Sequence, residues 1–464
     1  MEPQAALADA RPHVLWFDVP ERPDELPSLD GDTTADLVIV GGGYTGLWAA
    51  VQAKQGDPDL VVVVIEAGRL GEQASGRNGG FCSSSLTHGL ENGLARFGQE
   101  LARIEELARA NFAAIASDID TYGIDAEWQP TGTLTAAVAP HLVAELSRAA
   151  EVARRFGHEV ELLDREAVRA EIGSPTFEAG MWQRTGEATV QPAKLAWGLG
   201  TAAHALGVRL HEHTAMTSVR RDGTGMVVTT PQGRVRCRSV LVATNGFRSP
   251  VRAINRMVAP VYDYVLATEP LTAAQLASIG WRHRQGLADT TNLFHYSRLT
   301  ADDRIVWGGY DAVYHYGNRV DASLEQRDST HQMLARHFQT TFPQLADVRF
   351  SHRWGGVIDT CSRFSVSFGT AHGGRLSYAV GYTGLGVGAS RFGARVALDL
   401  LLHPDSALLE LGMVRRRPIP FPPEPLRWTG IALTRRAMAR ADANQGRRGA
   451  WLQLLDRLGM GFDS

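Results

Sequence analysis

Residues 36–46 read DLVIVGGGYTG, and residues 60–81 read LVVVVIEAGRLGEQASGRNGGF. The first stretch is an apolar run, Leu37 to Val40, followed by three glycines and then Tyr44, Thr45 and Gly46. The second is a β-rich run, Leu60 to Ile65, that ends on Glu66. Together they predict strand, tight turn, helix and strand, the first half of a dinucleotide-binding unit. Gly41 allows the turn, Gly43 lets backbone approach a pyrophosphate, and Gly46 lets the helix lie close to the strand. The helix start, with Tyr44 and Thr45, offers free N–H groups and the positive end of its dipole to phosphates. Glu66 closes the second strand, where a carboxylate accepts hydrogen bonds from a ribose.

Downstream of Glu66 the chain continues through Ala67 to Ser75, Gly76, Arg77, Asn78, Gly79, Gly80 and Phe81. Small residues let backbone lie against a flat or charged ligand, and Arg77 and Asn78 add donors. This segment resembles the D-amino-acid-oxidase-like superfamily of FAD oxidoreductases, which includes glycine and sarcosine oxidases. It is most similar to the subgroup of gamma-glutamylputrescine oxidoreductase-like and aminophosphonate oxidoreductase-like amine oxidases. The likeness extends from Trp16 to about Leu402. It implies FAD as cofactor, with Ala67, Ser75, Arg77, Asn78, Gly79, Gly80 and Phe81 running past the pyrophosphate towards the flavin ring. It also implies a fold of α/β class: a Rossmann-like FAD-binding domain with an inserted antiparallel-sheet (α+β) substrate domain.

A chain of 464 residues exceeds the ~250–300 at which single cores stop growing, so two domains are expected. The formal net charge of −3 gives no nucleic-acid footprint, and the one basic run is Arg415-Arg416-Arg417. Cys82, Cys237 and Cys361 lack metal or disulfide spacing, so a reducing compartment and no metal are expected. The first residues carry no signal-peptide core, and no apolar run reaches the ~18 residues of a membrane helix; a cytoplasmic protein is the default. Lysine occurs only at Lys54 and Lys194, so arginine carries nearly all the positive charge.

In chain order, residues 1–33 form an extended lead-in, broken by Pro20, Pro23 and Pro27 and expected on the surface of the FAD domain. Helical spacing covers Leu94 to Tyr122 and Leu142 to Phe156. A helix starts near Pro192 and stops at Gly207. Met216 stands where the superfamily holds adenine by backbone, or at an ordinary sheet edge. Val240 to Ala243 form a strand that runs into Thr244. A strand, glycine turn and helix recur at Tyr378 to Leu402, and the resemblance turns Gly381, Tyr382, Gly384, Leu385, Gly386 and Val387 to the flavin's pyrimidine edge. The expected FAD-binding domain is therefore 34–124, 191–255 and 352–405. The substrate domain is 125–190 and 256–351, and 406–464 is a C-terminal helical extension packed on the surface.

In the strand-rich region from Met257 to Arg353, Tyr296 and Arg298 share one face with Phe294, and His295 takes the other. Arg298 could bind an acidic group bidentately, and Tyr262 with Tyr264 could wall the substrate pocket; packing or a surface salt bridge explains each of the four equally well. Two departures from the superfamily stand out. No lysine follows Lys194, so the flavin-facing lysine of sarcosine-oxidase-like members is missing. No Cys or His occupies the setting used for covalent attachment, so FAD is expected to be non-covalent. The resemblance implies oxidative deamination of a small amine bearing an acidic group (an amino acid, a glutamylated polyamine or an aminophosphonate), by hydride transfer to flavin N5. Oxygen or another acceptor takes the electrons. An amino-acid dehydrogenase feeding a quinone or a protein, or a flavoprotein subunit within a complex, stays open. The ASGRNGG segment argues against an NAD-dependent dehydrogenase.

Overall fold

The computed structural model describes residues 2–458; residue 1 of the lead-in and residues 459–464 of the expected extension lie outside the described residues. A six-stranded sheet runs in the order Ser367–Ala371, Leu376–Val380, Ser239–Val242, Leu37–Val40, Val62–Ile65 and Arg209–His211. All neighbours are parallel except Ser367–Ala371. Strand alternation divides its side chains between two layers. Leu37 and Ile39 join the helical core with Leu47, Val51, Leu195, Leu199 and Val396. Val38 and Val40 join the opposite core with Val228 and Val235 of a small hairpin sheet. Each such side chain contributes about 1.5–3 kcal/mol on full burial. The helices are Tyr44–Gly56, Pro192–Ala205, Gly386–Leu402 and Leu101–Thr121.

The second sheet has nine strands. Its path is Val313–Tyr314, Val258–Thr268, Ile305–Gly309, His295–Leu299, Gly286–Asp289, Thr133–Ala137, Ala179–Gln183 and Val160–Leu163. Phe350–Cys361 pairs with Val258–Thr268 along nearly its whole length. The sheet is antiparallel except where Gly286–Asp289 meets Thr133–Ala137, the junction between chain segments that flank the first sheet's strands.

The structure departs from the sequence expectations in three places. The helix expected over Leu94 to Tyr122 is two helices, Leu90–Phe97 and Leu101–Thr121, broken at Gly98 where helix propensity is low. Phe350–Cys361 extends the second sheet beyond the boundary expected at 352, because its pairing with Val258–Thr268 persists to Cys361. The lead-in is embedded and touches both halves. Ala6, Leu7 and Ala10 join the second sheet's core, and the Trp16 indole donates to the Asn78 carbonyl at 2.8 Å. Both lysines are engaged: Lys54 donates to the carbonyls of Pro58 and Leu60, and Lys194 pairs with Glu127 at 3.1 Å.

Candidate active site

The Leu37–Val40 strand, the Tyr44–Gly56 helix and the Val62–Ile65 strand meet at one end of a cavity of about 1090 Å³. A single drug-sized ligand occupies a pocket of ~300–1,000 Å³, so this cavity has room for a dinucleotide and more. Gly41, Gly43, Tyr44, Thr45, Glu66 and Ala67 line that end. Gly43 has no side chain to cap the Tyr44–Gly56 helix and Tyr44 N donates to the Ser75 hydroxyl at 2.9 Å, so the next first-turn N–H, at cavity-lining Thr45, has no side-chain cap. Gly46 lies behind the wall: a Cβ there would stand 1.9 Å from the Gly41 carbonyl oxygen, so its role is close packing of helix on turn. The Glu66 carboxylate accepts from Gly42 N at 2.7 Å and Gly68 N at 2.9 Å, and burial pushes its pKa up. The Tyr44 hydroxyl donates to the Pro192 carbonyl and its backbone N–H to Ser75, so both of its donors hold the turn together.

The Ala74–Phe81 segment makes a one-turn helix, Ala74–Arg77, and then a bend. Asn78 organises the bend: its amide donates to the Ala74 and Ser75 carbonyls, and its oxygen accepts from Gly80 N at 2.8 Å. Arg77 pairs with Glu325 at 2.5 Å, and the Trp354 indole donates to the Arg77 carbonyl. Ser75, Arg77, Asn78, Gly79 and Phe81 line the cavity. Gly80 does not; a Cβ there would meet the Val190 carbonyl at 2.2 Å.

The second glycine turn closes the same cavity. Tyr382, Gly384, Leu385, Gly386 and Val387 line it, and the Gly386–Leu402 helix also starts without a side-chain cap. Asp359, unassigned in the sequence reading, shapes this turn. Its carboxylate accepts from Gly381 N at 2.5 Å and Tyr382 N at 3.1 Å, and burial pushes its pKa up to about 7. Gly381 itself is behind the wall. The Tyr382 hydroxyl accepts from Thr45 at 2.8 Å, which ties the two glycine turns together. Met216 and Thr244 line the cavity beside Glu66.

These groups fit FAD. The Thr244 hydroxyl is buried, lines the cavity and finds no partner in the protein, so it offers a donor to a ligand. Two helix starts and a buried carboxylate match a pyrophosphate, an anionic ring edge and a ribose. Cys361 lines the cavity, but its thiol points to the carbonyls of Ser365 and Gly381. We expect the cofactor to be released by denaturation; a protein mass increased by one flavin after unfolding would overturn this.

The second sheet supplies the roof. Tyr296 lines the cavity between Gly79 and Gly308, with Phe81 edge-on at 5.7 Å. Its hydroxyl donates to Asp263 Oδ2 at 2.5 Å. Asp263 also lines the cavity, and burial pushes its carboxyl up to about 6; burial and this carboxylate together push the Tyr296 phenol well up. The sequence reading missed Asp263. Its signal was a carboxylate interrupting the run Val261-Tyr262-Asp263-Tyr264-Val265.

The other roof candidates separate. Tyr262 lines the cavity while its hydroxyl bonds the Asp321 backbone. Tyr264 is fully buried, donates to the Leu324 carbonyl and does not reach the cavity. Arg298 is also buried away from it. It donates to the Val190 carbonyl, lies beside Trp16, and burial lowers its pKa to about 10. Sheet twist and the close approach of Gly80 carry it beneath the Ala74–Phe81 segment, although it shares strand parity with Tyr296. His295 takes the opposite face as expected, its Nδ1 donating to the Asp289 carboxylate at 2.7 Å and its Nε2 lying 2.9 Å from His337 Nδ1.

A family profile described as FAD dependent oxidoreductase matches residues 36–400. Gamma-glutamylputrescine oxidoreductase of Escherichia coli is 32% identical over 381 residues, covering 81% of this chain and 85% of that protein. Two solved structures share the fold. Glycine oxidase from Geobacillus kaustophilus superposes with a TM-score of 0.67 at 19% identity, covering 82% of this chain and 99% of its own. L-proline dehydrogenase from P. horikoshii gives 0.66 at 18% identity, covering 84% and 100%.

Proposed function

The chain belongs to the family of FAD dependent oxidoreductases, and from that premise we propose that it oxidises an amine to an imine, which water then hydrolyses. Asp263 carries the reading. A buried carboxylate opening onto the substrate end of an aromatic cavity attracts a cation, and an amine arrives as an ammonium ion. The relative named for gamma-glutamylputrescine supports the same class. The resemblance implies an acidic group on the substrate, with Arg298 as its candidate partner; that side chain turns away to the Val190 carbonyl, and the proposal is confined to the amine.

Bound flavin supplies a two-electron acceptor for the C–H bond next to nitrogen. The protein's residues prepare that bond. Asp263 Oδ takes the ammonium proton, freeing the nitrogen lone pair. Tyr296, held by Asp263, fixes the carboxylate's direction and forms the ceiling with Phe81. Capless helix starts provide donors for anionic groups without reorganisation. We assign the cofactor to 34–124, 191–255 and 362–405, and the substrate to 125–190 and 256–361. The boundary shift from 352 to 362 follows the pairing of Phe350–Cys361.

Anaerobic mixing with glycine, sarcosine, D- and L-amino acids, gamma-glutamylputrescine and 2-aminoethylphosphonate tests the proposal. Bleaching of the flavin band by an amine is the expected result. A band unmoved by every amine, with flavin confirmed bound, overturns it. Admitting air to the bleached protein then separates oxygen from a quinone or protein acceptor, by peroxide release.

A further inference from the structure

The C-terminal segment begins beyond the family match and nevertheless builds part of the cavity. A proline-rich strap crosses Ile419 to Pro425, and the helices Leu426–Ala443 and Ala450–Arg457 follow. Three clasps hold it against the second sheet. Glu424 accepts from the Tyr314 hydroxyl and from Gly317 N at 2.9 Å. Arg435 pairs with Asp311, next to Tyr310. Asp442 accepts from Asn292 N at 2.9 Å and Leu293 N at 3.2 Å. These clasps lie on the loops that border Tyr296 and Asp263, so the segment walls the substrate end rather than the Glu66 end.

Leu426 and Leu433, seven residues apart on one helix face, line the cavity with Trp451, whereas Phe421 and Ile431, also in the lining, pack against Ala259, Val261 and Tyr314 of the second sheet. The arginines it turns the same way are engaged. Arg427 donates to Asn318 at 2.6 Å, Arg435 pairs with Asp311, and Arg448 pairs with Asp456 at 2.8 Å. Arg248, on another chain segment, is exposed and also lines the cavity. Leu426 and Leu433 line the cavity yet remain 64% and 43% exposed. That is apolar surface a ligand would remove from water.

We propose that the C-terminal segment is the substrate-selecting wall, and that the amine oxidised here carries an extended apolar substituent that lies along Leu426, Leu433 and Trp451. This rests on the amine-oxidising reading and names its substrate class. The ammonium end meets Asp263, and the apolar end meets the segment.

The test uses the purified holoprotein and two series. Straight-chain primary amines of increasing length, with glycine and sarcosine as short polar controls, report anaerobic flavin reduction. Tertiary-alkyl primary amines, which carry no hydrogen on the carbon bearing nitrogen and leave the flavin oxidised, report binding by calorimetry. Each added methylene is expected to tighten both by up to about four-fold until the wall is covered. Leu433→Gln, at an exposed position that leaves folding intact, should flatten that dependence while flavin content stays the same. Binding that does not change with chain length, or an unchanged dependence in the variant, overturns the inference even where amines reduce the flavin. Length-dependent binding without reduction by any amine upholds the apolar wall and overturns the amine-oxidising reading.

Discussion

Gly46→Ala should yield a protein that folds but purifies nearly colourless. A Cβ at this position would lie 1.9 Å from the Gly41 carbonyl oxygen and 3.2 Å from the Ile39 side chain. The nearest atom is backbone, so no rotamer change relieves the clash. The helix start must move off the glycine turn, and overpacking of this kind costs about 3 kcal/mol at its upper range. That cost falls on the geometry that presents helix N–H groups to the cofactor, so FAD affinity should drop roughly a hundred-fold. The flavin-to-protein absorbance ratio checks it, with circular dichroism showing that the sheets persist. Normal flavin content would mean that the turn does not form the pyrophosphate site.

Asp263→Asn should keep its flavin and lose turnover. Proton transfer by a placed side chain contributes about 10²–10⁴-fold, and kcat/KM for the amine identified by flavin bleaching should fall by that order. The pH profile distinguishes this role from a structural one. A protonated Asp263 cannot take the ammonium proton, so activity of the natural protein rises with pH through the Asp263 ionisation at about 6. The asparagine variant should lack that limb. Tyr296→Phe removes a hydrogen bond that holds the Asp263 pKa down, so its limb should move to higher pH. An acidic limb that survives in Asp263→Asn would reassign the proton acceptor.

The cofactor half was legible because its chemistry is local. Glycine spacing, two apolar runs and a terminal acid fall within thirty-odd residues, and backbone geometry alone gives them meaning. The roof depends on which residues distant strands bring together. Tyr296 was legible as a residue, while its partner Asp263 lies two strands away across Ile305–Gly309. Strand parity placed Arg298 with Tyr296, but parity fixes a face and not the neighbour met there. The meeting of Gly80 and Val190 beneath that face occurs only in the folded chain. Asp359 was hidden for a related reason: its role is to accept backbone N–H groups twenty-odd residues later. The C-terminal helices read as a surface extension because Asn444 to Gly446 interrupts any continuous amphipathic face. What the sequence does not show is that Arg427 and Arg435 find an amide and an acid, Asn318 and Asp311, beside the second sheet, which docks the segment against the cavity.

The two engaged lysines bear on how long such a protein would survive its own work. Imine hydrolysis on the proposed route releases a carbonyl compound at the cavity mouth, and an aldehyde condenses readily with free primary amines. Lys54 is buried with its ammonium held by two carbonyls, and Lys194 is held by Glu127, its pKa raised by that contact against the effect of burial. Arginine, protonated throughout, carries the remaining positive charge. The side chains therefore present almost no target for Schiff-base adducts or product-driven cross-links. A surface built this way tolerates a reactive carbonyl accumulating beside it, turnover after turnover.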